Sequence, residues 1–296
     1  MGLLDGLKNL FGSKGKKKLK IADVAKRFDL RGRTGQGSMS KVFQAYDREL
    51  GRTVCLKLLD KEKTATFEGR FKGLNKPTEG EICIQLKHPN LVTTYEHGIT
   101  TKGEPYLVME WIDGYGMNFL VETKSEKLKT HAFDYLIQMS EALAYMHQQK
   151  YLHRDICPRN AMINKDGVLK LIDFGLTIPY KPEFCRPGNR TGTADYLAPE
   201  LIKRQTTDHR IDLFALGVTA FEIFIGALPW ERAASSEETL RRHMNTDSRD
   251  PRPLRPGLPE GLYRLLEKAV ARDRDMRFQT AMEFRDSLRA MSQSFK

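Results

Sequence analysis

The sequence predicts an α+β chain of two lobes, a small strand-rich lobe with one helix followed by a larger, mainly helical one. Two observations predict it. Residues 28–59 alternate apolar and polar side chains in short runs punctuated by glycine, the period of strands and turns. Beyond Gly116 the apolar residues return at helical spacing instead. The chain has 296 residues, 40% hydrophobic and 29% charged, which suffices for two compact cores of ordinary globular composition.

Taken in order, residues 1–20 form a tail, an apolar-striped MGLLDGLKNLFG followed by the lysine run SKGKKKLK. The tail holds six lysines against one aspartate, within a chain of formal net charge +11. Leu3, Leu4, Leu7, Leu10 and Phe11 line one face of a potential helix. Laid on an anionic membrane surface it would bury that stripe beside its lysines. Docking on the domain or on a partner is the alternative, and a tail that only aids solubility is the bland one. Gly6 stands where a myristoylation signal carries Ser or Thr, which argues against a lipid at Gly2.

The folded part divides into residues 21–112 and 113–296. After the strands of 28–59, residues 77–87 can open a helix with Pro77 at its first position and acids in its first turn. Strand patterns return at 91–97 and 105–112, and the lobes join near 110–116. In 130–150, Phe133, Leu136, Ile137, Ser140, Leu143, Ala144 and His147 make one buried stripe. Residues 209–225 are apolar almost all round and predict a buried helix, stopped by Gly226 and Pro229. Helical patterns also cover 236–245, 259–272 and 279–291. No apolar run approaches the roughly 18 residues of a membrane span, and no signal peptide is evident, so a cytoplasmic location is expected. The four cysteines, Cys55, Cys83, Cys157 and Cys185, form no CxxC pair, which argues against a zinc site or disulfide framework.

Three groups of residues carry chemistry. Gly35 and Gly37 sit between two strand-like segments, followed by Val42, and would let backbone N–H groups approach phosphate. Lys57 ends the strand VCLK; a buried cation for phosphate needs a carboxylate partner, either Glu79 or Glu81. The run His153-Arg154-Asp155-Ile156-Cys157-Pro158-Arg159-Asn160 is the most specific. Asp155 can accept a hydroxyl proton and Asn160 can bind a metal ion. Asp173-Phe174-Gly175 follows a further strand and supplies a second hard oxygen ligand, as Mg²⁺ with nucleotide phosphates requires.

In this order, with Ala198-Pro199-Glu200, Asp212, Gly217 and Arg277, the residues resemble the signature set of protein kinases from about Phe28 to Met291. The resemblance implies a bilobal fold with an antiparallel β-rich first lobe, ATP and Mg²⁺ as cofactors and a protein substrate. Lys57, held by Glu79, would pair the α- and β-phosphates, and Asp155 would deprotonate the acceptor hydroxyl. Asn160 and Asp173 would hold Mg²⁺. Met109 would be the gatekeeper, Glu110 and Ile112 would bond adenine through their backbone, and Cys55 and Leu107 would lie near the ring. Glu200 and Arg277 would form a buried pair, and Asp212 would hold the catalytic loop from beneath.

The chain departs from the family pattern in three places. Ser40 replaces the third glycine of the phosphate loop, and the stretch GYGMN around Gly116 lacks the acid that family members often use for ribose. Cys157 replaces the lysine that serine/threonine kinases carry two residues after the catalytic aspartate. Arg159, at the spacing tyrosine kinases use, is expected to supply that charge. Thr193, expected to bond the catalytic aspartate, favours serine/threonine over tyrosine acceptors. A pseudokinase scaffold that binds nucleotide without efficient transfer is the alternative from another class. Arg154 would bind a phosphate on the segment 173–200, with Thr191, read as solvent-facing, the expected autophosphorylation site. No nucleic-acid motif accompanies the positive charge.

Overall fold

The computed structural model describes residues 19–36, 40–188 and 190–294, the side chains of 34–36 excepted. The expectations for the tail and for Gly37 therefore fall outside the described residues. The first lobe contains β1 (Lys20–Ala22), α1 (Val24–Arg27), β2 (Phe28–Gln36), β3 (Ser40–Asp47), β4 (Arg52–Leu59), α2 (Lys61–Gly69), α3 (Glu79–Gln85), β5 (Thr94–Thr100) and β6 (Pro105–Glu110). Among the described residues its strands form one sheet in the order β1-β5-β6-β4-β3-β2. The ladders are antiparallel except β1–β5, which is parallel. β1 begins at Lys20, one residue before the Ile21 at which the sequence reading opens the folded domain.

Alternation sorts the sheet's two faces. Val54, Leu56, Tyr106 and Val108 point to one side and pack with Ala22, Phe28 and Ala45 into a closed core. The residues between them, Cys55, Lys57, Leu107 and Met109, therefore point to the other side, toward the second lobe. A buried network braces the far end: Arg27 pairs with Asp47 at 2.8 Å and Glu96 at 2.5 Å, and Tyr106 donates to Glu96 at 2.7 Å.

Two details correct the sequence reading here. The first lobe holds three helices among its described residues, not one, because Asp23 and Asp60 each cap an additional helix, accepting from the Ala25 and Lys26 and from the Glu62 and Lys63 N–H groups. Pro77 is not the first residue of α3 but precedes its cap. Thr78 and Glu81 close a reciprocal capping box that fixes the start at Glu79. That box occupies Glu81, leaving Glu79 on the inner face.

The second lobe follows β7 (Gly114–Gly116) with α4 (Met117–Glu122), α5 (Glu126–Gln148), β8 (Tyr151–Leu152), β9 (Ala161–Asn164), β10 (Leu169–Leu171) and β11 (Ile178–Pro179). Then come α6 (Pro199–Ile202), α7 (Arg210–Ile225), α8 (Ser236–Asn245), α9 (Pro251–Leu254), α10 (Glu260–Ala269) and α11 (Ala281–Ser294). In α7 every residue but Arg210 and Glu222 is buried, so the helix is the axis of this lobe. A Cβ on Gly217 would lie 2.6 Å from the Ala269 carbonyl oxygen, so glycine there admits α10 against α7. The buried stripe of α5 is centred on Tyr135, Leu136, Met139, Ala142, Leu143 and Met146, with Phe133, Ile137 and Ala144 only flanking it. The short strands pair as β7-β9-β10 and β8-β11, and between them they carry the loops of the site. No described helix is long and apolar enough to cross a membrane.

Candidate active site

Strand register builds the roof of the cleft. Gly35, Val42, Lys57 and Leu107 are successive partners across β2, β3, β4 and β6, and Cys55 stands opposite Met109 one pleat away. Opposed residues share a face, so Val42, Cys55, Lys57, Leu107 and Met109 look into the same crevice. Below the sheet edge, the Glu110 carboxylate is used structurally, accepting from the Thr93 N–H and from Lys170 Nζ, both at 2.7 Å. The Ile112 N–H donates to no described residue, and Asp113 to Gly116 lead into the second lobe.

Lys57 is buried, and its ammonium donates to Glu79 Oε1 at 2.6 Å and to Asp173 Oδ1 at 2.9 Å. The sequence left Glu79 and Glu81 open; the capping box and this contact decide for Glu79. Burial works against a charge on Lys57, yet Asp173 and Glu79 raise its pKa well beyond the lysine range. Burial likewise opposes ionisation of Asp173, but Lys57 and the Gly175 N–H hold its carboxyl below the usual range. Lys57 and Asp173 are thereby held in their charged forms, while burial pushes the Glu79 carboxyl above its ordinary value; the three groups are gathered from β4, α3 and the loop after β10.

Asp155 lies on the floor. Its Oδ1 accepts from the Thr193 N–H at 2.9 Å and Oγ1 at 2.8 Å, and its Oδ2 accepts from Asn160 Nδ2 at 2.8 Å. Gly192 makes the Thr193 contact possible. It has φ +132°, and a Cβ there would sit 2.9 Å from the Arg154 carbonyl oxygen. The loop is held from beneath by Asp212, whose carboxylate accepts from the His153 N–H at 2.9 Å, the Arg154 N–H at 2.8 Å and His147 Nε2 at 2.9 Å. The His147 contact was not foreseen; in sequence that residue reads only as part of the α5 stripe. Arg277 grips Glu200 through two bonds of 2.8 Å, fixing α6 behind the segment that carries Thr193.

Both nitrogen donors of the Asn160 amide point at Asp155, which turns its Oδ1 away, and the Asp173 Oδ2 accepts no bond from a described residue. Two hard oxygens are thus left for a divalent cation, a donor set that suits Mg²⁺. The helix α2, which carries no motif, contributes Thr64 and Glu68 to the cavity that Lys57, Glu79, Asp155 and Asp173 line. Nothing in the sequence pattern of the helix signals that position.

Cys157 is buried with its Sγ 4.0 Å from Thr193 Oγ1, and burial pushes its thiol up to about 11. Arg159 approaches the same hydroxyl from the exposed side, donating from Nη2 at 3.1 Å. Thr191 departs from the sequence reading. Its hydroxyl is covered and has no hydrogen-bond partner, so it does not face solvent.

Comparison with known proteins agrees with this geometry. Residues 28–287 match the family described as protein kinase domain. The chain is 30% identical over 275 residues, 88% of its length, to the probable serine/threonine-protein kinase PknB of Bifidobacterium longum. It is 31% identical over 277 residues, 90% of its length, to serine/threonine-protein kinase PknB of Mycobacterium tuberculosis. To the Aurora kinase of Saccharomyces cerevisiae it is 35% identical over 242 residues, 81% of its length. It spans 39% and 43% of the two bacterial proteins and 64% of the yeast one. With a family match covering both lobes and the whole cleft between them, the chain belongs to the protein kinase family.

Proposed function

We propose that the chain transfers the γ-phosphoryl group of ATP, with Mg²⁺, to serine or threonine hydroxyls of protein substrates. The observation that carries this reading is the convergence of Lys57, Glu79 and Asp173 above Asp155 and Asn160 in one cleft. When bound, the magnesium–nucleotide complex supplies the phosphoryl group and offsets the charge on its oxygens. Lys57, kept cationic by its two carboxylates, holds the nonreacting phosphates, and Asn160 Oδ1 with Asp173 would hold the metal. Asp155, oriented by Thr193 and Asn160, takes the proton from the acceptor hydroxyl. The buried roof residues Met109 and Leu107, with the half-buried Cys55, make the apolar slot for adenine beside the backbone of Glu110 and Ile112.

Two features support a serine/threonine acceptor: the Thr193–Asp155 hydrogen bond and the similarity to bacterial serine/threonine-protein kinases. Arg159 supplies the charge absent at Cys157, since its guanidinium reaches the hydroxyl that touches Asp155. The lysine-rich tail fits a peripheral site at the cytoplasmic membrane face; co-sedimentation with anionic vesicles that survives deletion of residues 1–18 would refute that part.

The decisive experiment is incorporation of ³²P from labelled ATP into a generic protein acceptor, followed by phosphoamino-acid analysis. Phosphoserine or phosphothreonine is expected, falling about 10²–10⁴-fold in Asp155→Asn. Phosphotyrosine alone, or full activity in Asp155→Asn, would overturn the reading. Arg159→Ala is expected to lower turnover about 10²-fold while Arg159→Lys retains more. Turnover within a few-fold of wild type in Arg159→Ala would remove that assignment.

A further inference from the structure

One face of α2 is a wall of the cleft. Thr64, Phe67 and Glu68, spaced as neighbours on a helix, line the cavity together with Lys57, Asp155 and Asp173. That face is fixed at several points. Asp60 caps the helix start, accepting from the Glu62 and Lys63 N–H groups at 3.1 Å and 3.0 Å. Phe67 is buried and meets the ring of Phe71 edge to face at 5.4 Å, and Glu68 accepts from Lys76 at 3.0 Å. Thr64, one turn before Glu68, is thereby held at the cavity.

The helix carries a second threonine, and the two hydroxyls are placed differently. Two residues apart, they point about 200° from each other around the helix axis. Thr66 is exposed, stands away from the cavity and gives its proton to the Glu62 carbonyl at 2.9 Å. Thr64 is half-buried, and its hydroxyl makes no hydrogen bond to a described residue. A hydroxyl that no neighbour engages keeps its proton to give, and the carboxylate of Asp155 opens on the same cavity.

We propose, resting on the kinase reading above, that Thr64 is a site of self-phosphorylation, modified within its own cleft and not by a second copy. The transfer forms a bond from Thr64 Oγ1 to the γ-phosphorus of ATP and breaks the bond from that phosphorus to the oxygen bridging to the β-phosphate. The electrons of the broken bond leave with ADP, and the hydroxyl proton passes to Asp155 and then to water. Thr64 lies outside the segment 173–200, so this site is separate from the threonines of that segment. With the acceptor already in place, the step is unimolecular.

The test incubates the dephosphorylated full chain with ATP and Mg²⁺ beside a generic protein acceptor. Peptide mass spectrometry should find phosphate on Thr64 and none on Thr66. The first-order rate constant at Thr64 should stay within about twofold when the chain is diluted about a hundredfold. Thr64→Val should remove that phosphate and Thr64→Ser should restore it. A readout without transfer checks the placement. In Thr64→Cys the introduced thiol should be alkylated about tenfold more slowly once Mg²⁺ and a non-hydrolysable ATP analogue are added, while Thr66→Cys is unaffected. An unmodified Thr64 beside a labelled acceptor overturns the proposal and leaves the kinase reading standing. So does a rate that rises with chain concentration, equal modification of Thr66, or alkylation of Thr64→Cys indifferent to nucleotide. If neither chain nor acceptor gains phosphate, the kinase reading falls and the proposal with it. The wild-type measurement needs no substitution, so it decides even where a variant fails to fold.

Discussion

Arg277→Met removes the one cation paired with Glu200 among the described residues, and the structure allows its cost to be worked out. The guanidinium spends two donors on the two carboxylate oxygens, both at 2.8 Å. Two more go to the carbonyls of Ala271 at 2.7 Å and Arg272 at 2.9 Å. Its carbon also lies 4.7 Å from the centroid of the Phe214 ring in α7. Methionine keeps most of the apolar packing but leaves a carboxylate only 5% exposed without a partner. Breaking a buried pair from one side costs about 3–5 kcal/mol. The two stranded carbonyls raise the total to about 4–6 kcal/mol, allowing for partial relaxation. That is a large share of the roughly 5–15 kcal/mol that holds a domain together. Urea unfolding at low temperature should show it as a lower midpoint with an unchanged slope. The double variant Arg277→Met with Glu200→Leu removes both charges and should recover about 2 kcal/mol or more. A single variant within about 1 kcal/mol of wild type, or a double no better than the single, would refute the view that the orphaned charge dominates.

Other outcomes follow from the same geometry. Burial alone would raise the Glu96 carboxyl from its ordinary 4.5, yet hydrogen bonds from Arg27, Lys20 and Tyr106 hold it at about 2. Its contribution to stability is therefore complete above about pH 4.5 and lost as pH falls from there toward 2. Thermal melts in Glu96→Gln should show a flatter acid limb than wild type; identical limbs would count against the network. Cys157, with a thiol near 11 and almost no exposure, should alkylate at pH 8 about a hundredfold more slowly in the native chain than in urea. Peptide mass spectrometry reads this directly, and rapid native labelling at that residue would contradict the burial.

The residues legible in sequence are those whose chemistry depends on short spacing. Asp155 and Asn160 lie five apart, so one tight loop brings the amide to the carboxylate. Lys57 and Met109 stand on strands whose alternation selects the inward face, and register alone brings Val42 and Cys55 beside them. The apolar run of α7 likewise declares its burial on every side. The extra helix α2 was not legible, since KEKTATFEG has neither apolar periodicity nor a motif; its place comes from Asp60 as cap and from Phe67 packing inward. Nor was the second role of His147, because a histidine in a buried stripe reads the same whether or not Asp212 waits behind it. The exposure of Thr191 was misread because a threonine in a polar, glycine-flanked stretch looks solvated, whereas the folded segment covers its hydroxyl. The His147 contact escaped for a plain reason: it joins residues far apart in sequence, which local pattern does not encode.

The change of lysine to Cys157 bears on how Asp155 is tuned. A threonine hydroxyl has one proton to give and two lone pairs to receive. Thr193 Oγ1 gives its proton to Asp155 Oδ1 at 2.8 Å, and Arg159 Nη2 donates to Thr193 Oγ1 at 3.1 Å. Since Arg159 has no acceptor, the direction of both bonds is fixed without locating any hydrogen. Positive charge, on the proposed reading, acts on Asp155 through the hydroxyl, from an exposed side chain whose ammonium substitute would also be able to donate. On the proposed reading, Thr193→Val should then abolish most of the difference between Arg159 and Arg159→Ala, since without the hydroxyl the guanidinium has no route to the carboxylate. If Arg159→Ala costs as much in the valine background as in wild type, the guanidinium acts on the phosphoryl group by itself and the relay is idle.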